Sequence, residues 1–294
     1  MKQKVIAIVG PTASGKSALG VYLAKKFGGE IISADSRQVY RGLNIGAGKV
    51  TKREMQGITH HLLDVVKPKK RFNADDFVRL AEKACSSFLQ KARTPIVVGG
   101  AGFYVDALLG RLTLPHVPPN SALRTQLEKK SVEQLFTMLK KLDPRRSKTI
   151  EPEHKRRLIR AIEVAKTLGK SPVPKKQEKY EILWLGLSPS PKTLQQNIHV
   201  RLFARISRGM IAEAKRLHTR GISYKRMEEL GLEYRYLARL LQNKISREQF
   251  TTELEREINH YAKRQMRWFR RNKNIRWIKN RTEALRLAKT FLSR

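Results

Sequence analysis

Gly10-Pro11-Thr12-Ala13-Ser14-Gly15-Lys16-Ser17 decides the fold of this chain. The string fits G-x-x-x-x-G-K-[ST] at every fixed position, and its surroundings fit as well. An apolar strand, Val5 to Val9, runs into it, and Ser17, Ala18, Leu19, Tyr22, Leu23 and Ala24 follow it in a helical pattern. Strand, glycine turn and helix in that order make an anion cradle. Glycines let backbone N–H groups turn inward onto phosphate oxygens, Lys16 adds a mobile charge, and Ser17 offers a hydroxyl to Mg²⁺. The loop predicts binding of a di- or triphosphate and, by motif alone, is of the ATP-binding type. The reaction stays open among a nucleotide hydrolase, a small-molecule kinase and a transferase that releases pyrophosphate.

Outward from the loop, short apolar runs recur at Glu30–Ala34, His61–Val65, Pro95–Gly99, Glu181–Leu187 and Ile275–Ile278, with helical patterns between them. Such runs suit strands covered on both faces, so the chain reads as an α/β protein with a mainly parallel phosphate-loop sheet. Asn73 is placed to cap a helix from Ala74, with Asp75 and Asp76 in its first turn, where negative charge is favoured. The alternation fails between 113 and 180. Pro115, Pro118 and Pro119 open that stretch and Ser171-Pro172-Val173-Pro174-Lys175-Lys176 closes it, with helical patterns inside. The expected organisation is therefore a core of residues 1–112 and 181–294 with a small helical subdomain, 113–180, inserted. A long helix is expected over 247–271. It would bury Leu254, Ile258, Ala262, Met266 and Phe269, and turn Lys263, Arg264, Arg267 and Arg271 the other way.

Composition restricts the partner. Of 294 residues, 62 are Lys or Arg and 25 Asp or Glu, a net charge of +37. Charge of that size repels itself in a compact chain unless a polyanion offsets it. Basic residues interleave with aromatics in Tyr261-Ala262-Lys263-Arg264-Gln265-Met266-Arg267-Trp268-Phe269-Arg270-Arg271, which suits RNA phosphates and unstacked bases. The one cysteine, Cys85, excludes a disulfide framework within the chain and any Cys-rich zinc site, and its periodic apolar surroundings make it a core residue. No stretch approaches the length of a membrane span, and Met1-Lys2-Gln3-Lys4 leads straight into the first strand without room for a signal peptide. Both point to a cytoplasmic protein, and nothing in the sequence requires a second chain.

Six segments in order resemble the bacterial tRNA dimethylallyltransferases, also called tRNA isopentenyltransferases: GPTASGKS (10–17), EIISADSRQVYRGLNIG (30–46), HHLLDVV (60–66), PIVVGGAGFYVDALL (95–109), RRLIRAIEV (156–164) and YAKRQMRWFRR (261–271). The loop alone is unspecific; the ordered set is not. The resemblance implies transfer of a dimethylallyl group from its diphosphate to the exocyclic amine of the adenosine 3′ of the anticodon, with Mg²⁺ assisting and pyrophosphate leaving. It further implies tRNA contact, through the anticodon stem-loop, by Asp35, Ser36, Arg37, Gln38, Ala101, Arg124 and the segment Arg156-Arg157-Leu158-Ile159-Arg160. Arg201 aligns more loosely, and Arg264 and Arg267 join the set through the basic helix. An adenine amine is a poor nucleophile because its lone pair is delocalised, so it needs an acceptor for its proton. Asp35, at the end of the second strand, is the carboxylate expected to serve, although its place also suits a cap for the next segment or a metal ligand.

Departures accompany the match. Val98-Gly99-Gly100-Ala101-Gly102 carries alanine where the family usually has threonine, Ile45-Gly46-Ala47-Gly48-Lys49-Val50 stands for the usual IGTAKP, and Glu153-His154-Lys155 lacks the acidic residue that often precedes the arginine motif. Two other readings remain at this level. A kinase with a helical lid explains the loop and the insert but not the charge. An RNA-binding nucleotide switch lacks its N-K-x-D string, and the run Pro95–Val98 ends in Gly99-Gly100, with no acidic residue suited to a metal.

Overall fold

The computed structural model describes residues 2–91, 93–115, 117–172 and 179–294. Its strands are β1 (Gln3–Val9), β2 (Gly29–Ala34), β3 (His60–His61), β4 (Thr94–Gly99), β5 (Tyr180–Leu187) and β6 (Arg276–Ile278). The helices are α1 (Lys16–Phe27), α2 (Lys52–Met55), α3 (Ala74–Gln90), α4 (Gly102–Leu108), α5 (Ser121–Glu128), α6 (Val132–Leu142), α7 (Pro144–Ser147) and α8 (Lys155–Leu168). They continue with α9 (Pro191–Ser207), α10 (Met210–Thr219), α11 (Tyr224–Leu230), α12 (Leu232–Leu241), α13 (Arg247–Phe269) and α14 (Arg281–Ser293). The strands form one parallel sheet in the order β3-β2-β4-β1-β5-β6.

The sheet is covered on both sides, as continuous apolar strands require. Along β1, Val5, Ala7 and Val9 face a cluster with Phe77, Phe88, Val105 and Leu108 of α3 and α4. Ile6 and Ile8 face the opposite cluster, with Leu19 and Leu23 of α1 and Ala284 and Ala288 of α14. Period-two alternation thus decides which helix each side chain meets. From β1 the chain crosses by α1 to β2 on one side, whereas from the adjacent β4 it goes on to β5 on the other, so the connections diverge at the C-terminal ends of β1 and β4, the place where open α/β sheets bind ligands. A third cluster lies among α9 to α13 and includes Val39, Leu43, Leu202, Tyr234, Phe250 and Leu254.

Two compact units result, Met1–Arg111 with Glu178–Arg294, and Leu112–Gln177. The insert buries its own core of Leu127, Leu135, Leu139, Leu158 and Ile162. Val173 to Lys176 of the closing proline segment lie outside the described residues. Asn73 caps α3 as expected, its Oδ1 accepting from the N–H groups of Asp75 (2.8 Å) and Asp76 (3.1 Å). Cys85 is buried on the inner face of α3, and burial pushes its thiol up to about 11, which removes it as a nucleophile.

Two expectations are corrected. The strand read at His61–Val65 stops at His61, because Leu62 (φ +65°) and Asp64 (φ +55°) take left-handed backbone that cannot continue a ladder. Beyond it, Val66 forms an isolated parallel bridge with Tyr40, outside the sheet. In α13 the buried position between Ala262 and Phe269 is Gln265, and Met266 is only partly covered. Lys263, Arg264, Arg267 and Arg271 are exposed, as the helical phase predicts.

Candidate active site

The turn from β1 into α1 takes Gly10 (φ +146°), Ala13 (φ +59°) and Gly15 (φ +89°) through positive φ. Alternation of hand along successive residues curls N–H groups toward one point and makes an anion nest. Gly10 is obligatory on space as well as on backbone, because a Cβ there would lie 2.5 Å from the carbonyl oxygen of Leu187 at the end of β5. Lys16 Nζ donates to the Pro11 carbonyl and lies 3.5 Å from Ser14 Oγ.

Beside this loop is a cavity of about 180 Å³ at the C-terminal ends of the central strands. Thr12, Lys16 and Ser17 line it from the loop, Asp35, Ser36, Arg37 and Gln38 from the turn after β2, and Gly99 and Gly100 from the turn after β4. Arg201 of α9 enters from above, with Nη2 donating to the Gly48 carbonyl (3.0 Å) and Nη1 to Thr12 Oγ1 (3.4 Å). Burial, then the Arg201 charge, lowers the Lys16 ammonium from its usual 10.5 to about 7, while Asp35 pulls it back upward. Two cationic side chains held out of water beside one carboxylate make a pocket for a polyanion.

Asp35 serves its own turn with one oxygen. Its Oδ1 accepts from the N–H groups of Arg37 (2.8 Å) and Gln38 (3.2 Å), while Oδ2 makes no hydrogen bond among the described residues. The capping role and a chemical role are therefore compatible, one on each oxygen.

Buried polar groups hold the cavity walls, and sequence reading had not singled them out. Glu213 of α10 accepts from the N–H groups of Asn44 (3.0 Å), Ile45 (2.8 Å) and Gly46 (2.9 Å) and from the Tyr234 hydroxyl (2.9 Å). Arg205 donates to the carbonyls of Ile45 (2.8 Å) and Gly46 and to Glu233 (3.1 Å). Together they fix the loop after residue 43. Gln265 joins the phosphate loop to the β4 turn: Oε1 accepts from Thr12 N–H (2.8 Å) and Nε2 donates to the Gly100 carbonyl (2.8 Å). The available signal was phase: Glu213 falls on the α10 face of Met210, Ala214 and Leu217, and Gln265 on the α13 face of Ala262 and Phe269.

Comparison with known proteins agrees with this geometry. The model of a family described as IPP transferase matches residues 38–272. The chain belongs to the IPP transferase family. It is 40% identical over 297 residues to a protein named tRNA dimethylallyltransferase 1 from Geotalea uraniireducens, covering 99% of this chain and 98% of that one. The crystal structure of a full-length tRNA isopentenylpyrophosphate transferase from Bacillus halodurans superposes with TM-score 0.75 at 34% identity, covering 99% and 96% of the two chains. A eukaryotic dimethylallyltransferase captured acting on tRNA gives TM-score 0.77 at 26% identity, over 91% of this chain and 70% of that one.

For an IPP transferase, the insert's arginines divide sharply. Arg124 forms a two-pronged pair with the fully buried Glu163 (3.0 and 2.7 Å), and Arg160 bonds the same carboxylate and the Val117 carbonyl (2.9 Å). Both guanidinium groups are committed to the insert's own structure, and the i,i+3 spacing of Arg160 and Glu163 was the signal for it. Leu158 and Ile159 are buried, and their side chains face the insert's core. Arg156 is exposed, and the exposed Arg157 meets only Glu151 (2.7 Å), a surface pair of small worth that a phosphate can displace. On α13, Arg264 and Arg267 are exposed, with the Arg264 guanidinium 5.8 Å from the Tyr261 ring.

Ala101 stands at the N-cap of α4 and supplies no side-chain bond. Restoring threonine there should let the hydroxyl accept from the first-turn N–H groups, stabilising the protein by about 1 kcal/mol. The urea midpoint of Ala101→Thr should rise accordingly; an unchanged midpoint would mean that the start of α4 is already satisfied.

Proposed function

We propose that this IPP transferase moves a dimethylallyl group from dimethylallyl diphosphate to the exocyclic amine of the adenosine 3′ of the anticodon in tRNA, releasing pyrophosphate. The observation that carries the reading is one cavity lined by a diphosphate-type loop and by a carboxylate with a free oxygen. The loop N–H groups, Lys16 and Arg201 hold the diphosphate and take up the charge that grows as the allylic C–O bond breaks. Asp35 Oδ2 orients the amine and accepts its proton as the N–C bond forms. Ser17 faces the cavity, its hydroxyl makes no hydrogen bond among the described residues, and no trio of His, Cys, Asp or Glu there forms a metal cluster. That donor set fits Mg²⁺ held by Ser17 and the diphosphate oxygens, where the ion would supply positive charge to the leaving group.

The charge of +37 favours RNA as the acceptor, and a monomer in the cytoplasm is the proposed working form. No helix among the described residues is long and apolar enough to cross a membrane. A kinase reading leaves the charge unexplained.

The deciding experiment incubates the protein with Mg²⁺, labelled dimethylallyl diphosphate and unmodified tRNA and follows label into the RNA. ATP should be neither hydrolysed nor required, and strong tRNA-stimulated ATP hydrolysis would sink the reading. The insert's share of RNA binding is tested by Arg156→Ala combined with Arg157→Ala. This pair should weaken tRNA binding and lower the salt-dependence slope by about one unit per lost phosphate contact. An unchanged slope would reduce both arginines to a solvated helix face.

A further inference from the structure

We infer that Gln265 is a positioning residue for the reaction, setting the distance between the diphosphate loop and the β4 turn. The inference rests on reading the cavity as the diphosphate site. Gln265 is 6% exposed, and both ends of its amide are used: Oε1 takes the Thr12 N–H and Nε2 gives to the Gly100 carbonyl. These two turns end β1 and β4, and both line the cavity. The fit is tight, since a Cβ on Gly100 would come within 2.2 Å of Gln265 Nε2. The neighbouring Gly102 is closed in the same way by Trp268, one helical turn along, whose indole N–H donates to Asp106 Oδ2 (2.9 Å). The α13 helix thus packs against the segment after β4 at two successive turns, the first of them at the cavity.

The chemistry explains why an amide stands here. Thr12 N–H needs an acceptor and the Gly100 carbonyl needs a donor, and a neutral amide is the compact group that offers both. By taking the Thr12 N–H, Gln265 also withdraws that donor from the phosphate nest. The Thr12 hydroxyl is left 3.4 Å from the Arg201 guanidinium. Leucine would leave two buried groups unpaired. Glutamate would keep the bond from Thr12, turn a charge onto the Gly100 carbonyl and repel the diphosphate. A protonated glutamate restores both bonds, its carbonyl accepting and its O–H donating, and burial favours that neutral form.

The test uses inorganic pyrophosphate binding, tRNA binding and steady-state transfer with the full chain. Gln265→Leu should weaken pyrophosphate binding and raise KM for the diphosphate donor by about 10-fold or more, with tRNA affinity unchanged. Gln265→Glu should show a titration absent from the wild type: the ratio of its turnover to that of the wild type should rise toward one as pH falls. If both variants bind pyrophosphate as the wild type does, or lose tRNA and pyrophosphate affinity equally, Gln265 is a packing residue only. A Gln265→Glu ratio that stays far below one at every pH overturns the inference as well. Failure of the wild type itself to bind pyrophosphate would overturn the reading of the cavity, and this inference with it.

Discussion

Asp35→Asn is expected to lower turnover by about 10²–10⁴-fold, the usual weight of general-base catalysis, with tRNA affinity little changed. The substitution is close to isosteric. Oδ1 of the asparagine still accepts from the N–H groups of Arg37 and Gln38, so the turn after β2 keeps its shape. What changes is the second position, where a free carboxylate oxygen becomes an NH₂ group that donates and takes no proton. Rates should be measured in single turnovers with both substrates saturating, so that chemistry is observed. A near-wild-type rate there would reduce Asp35 to a cap for its turn.

Lys16→Ala should also disable transfer, removing about 10²–10³-fold or more in rate, while tRNA binding stays mostly intact. Its pH signature is more specific. With its pKa near 7, Lys16 is protonated in the free protein below pH 7 and loses its charge above it. A bound diphosphate favours the protonated form, so binding above pH 7 takes up a proton. Affinity for the diphosphate should therefore decline as pH rises from 7, by up to tenfold per unit, until the pKa of the complex is reached. Calorimetry of pyrophosphate binding in buffers of different ionisation heat measures that uptake. Lys16→Ala supplies the baseline, because the ligand's own ionisation remains in it. Equal proton uptake by the two proteins would show that Lys16 is already charged before the ligand arrives.

The order of strands and helices was legible because it rests on local signals. A glycine-lysine loop, apolar runs without polar interruption and an Asn-Asp-Asp helix start each act within a few residues. The phosphate loop was legible for the same reason, whereas Asp35, which lines the same cavity, was singled out through the family resemblance. His61–Val65 misled because its apolar residues satisfy strand patterning, whereas Leu62 and Asp64 adopt backbone that no hydropathy pattern reveals. The insert's arginines show a different limit. A basic run looks uniform in sequence, yet Glu163 takes up Arg124 and Arg160 and leaves Arg156 and Arg157 outward. Glu213, Arg205 and Gln265 escaped notice because most of their partners are backbone groups, which have no signature in side-chain type.

Those same long-range bonds set when the site can exist. Gly46 waits for Glu213, 167 residues further on, and Thr12 waits for Gln265, 253 residues further on. Contacts so distant in sequence cost loop-closure entropy before they give anything back. During synthesis the phosphate loop is made early, but its brace follows 253 residues later. The nascent chain thus carries a phosphate-binding motif without the walls that make it an enzyme, and competence waits for α13.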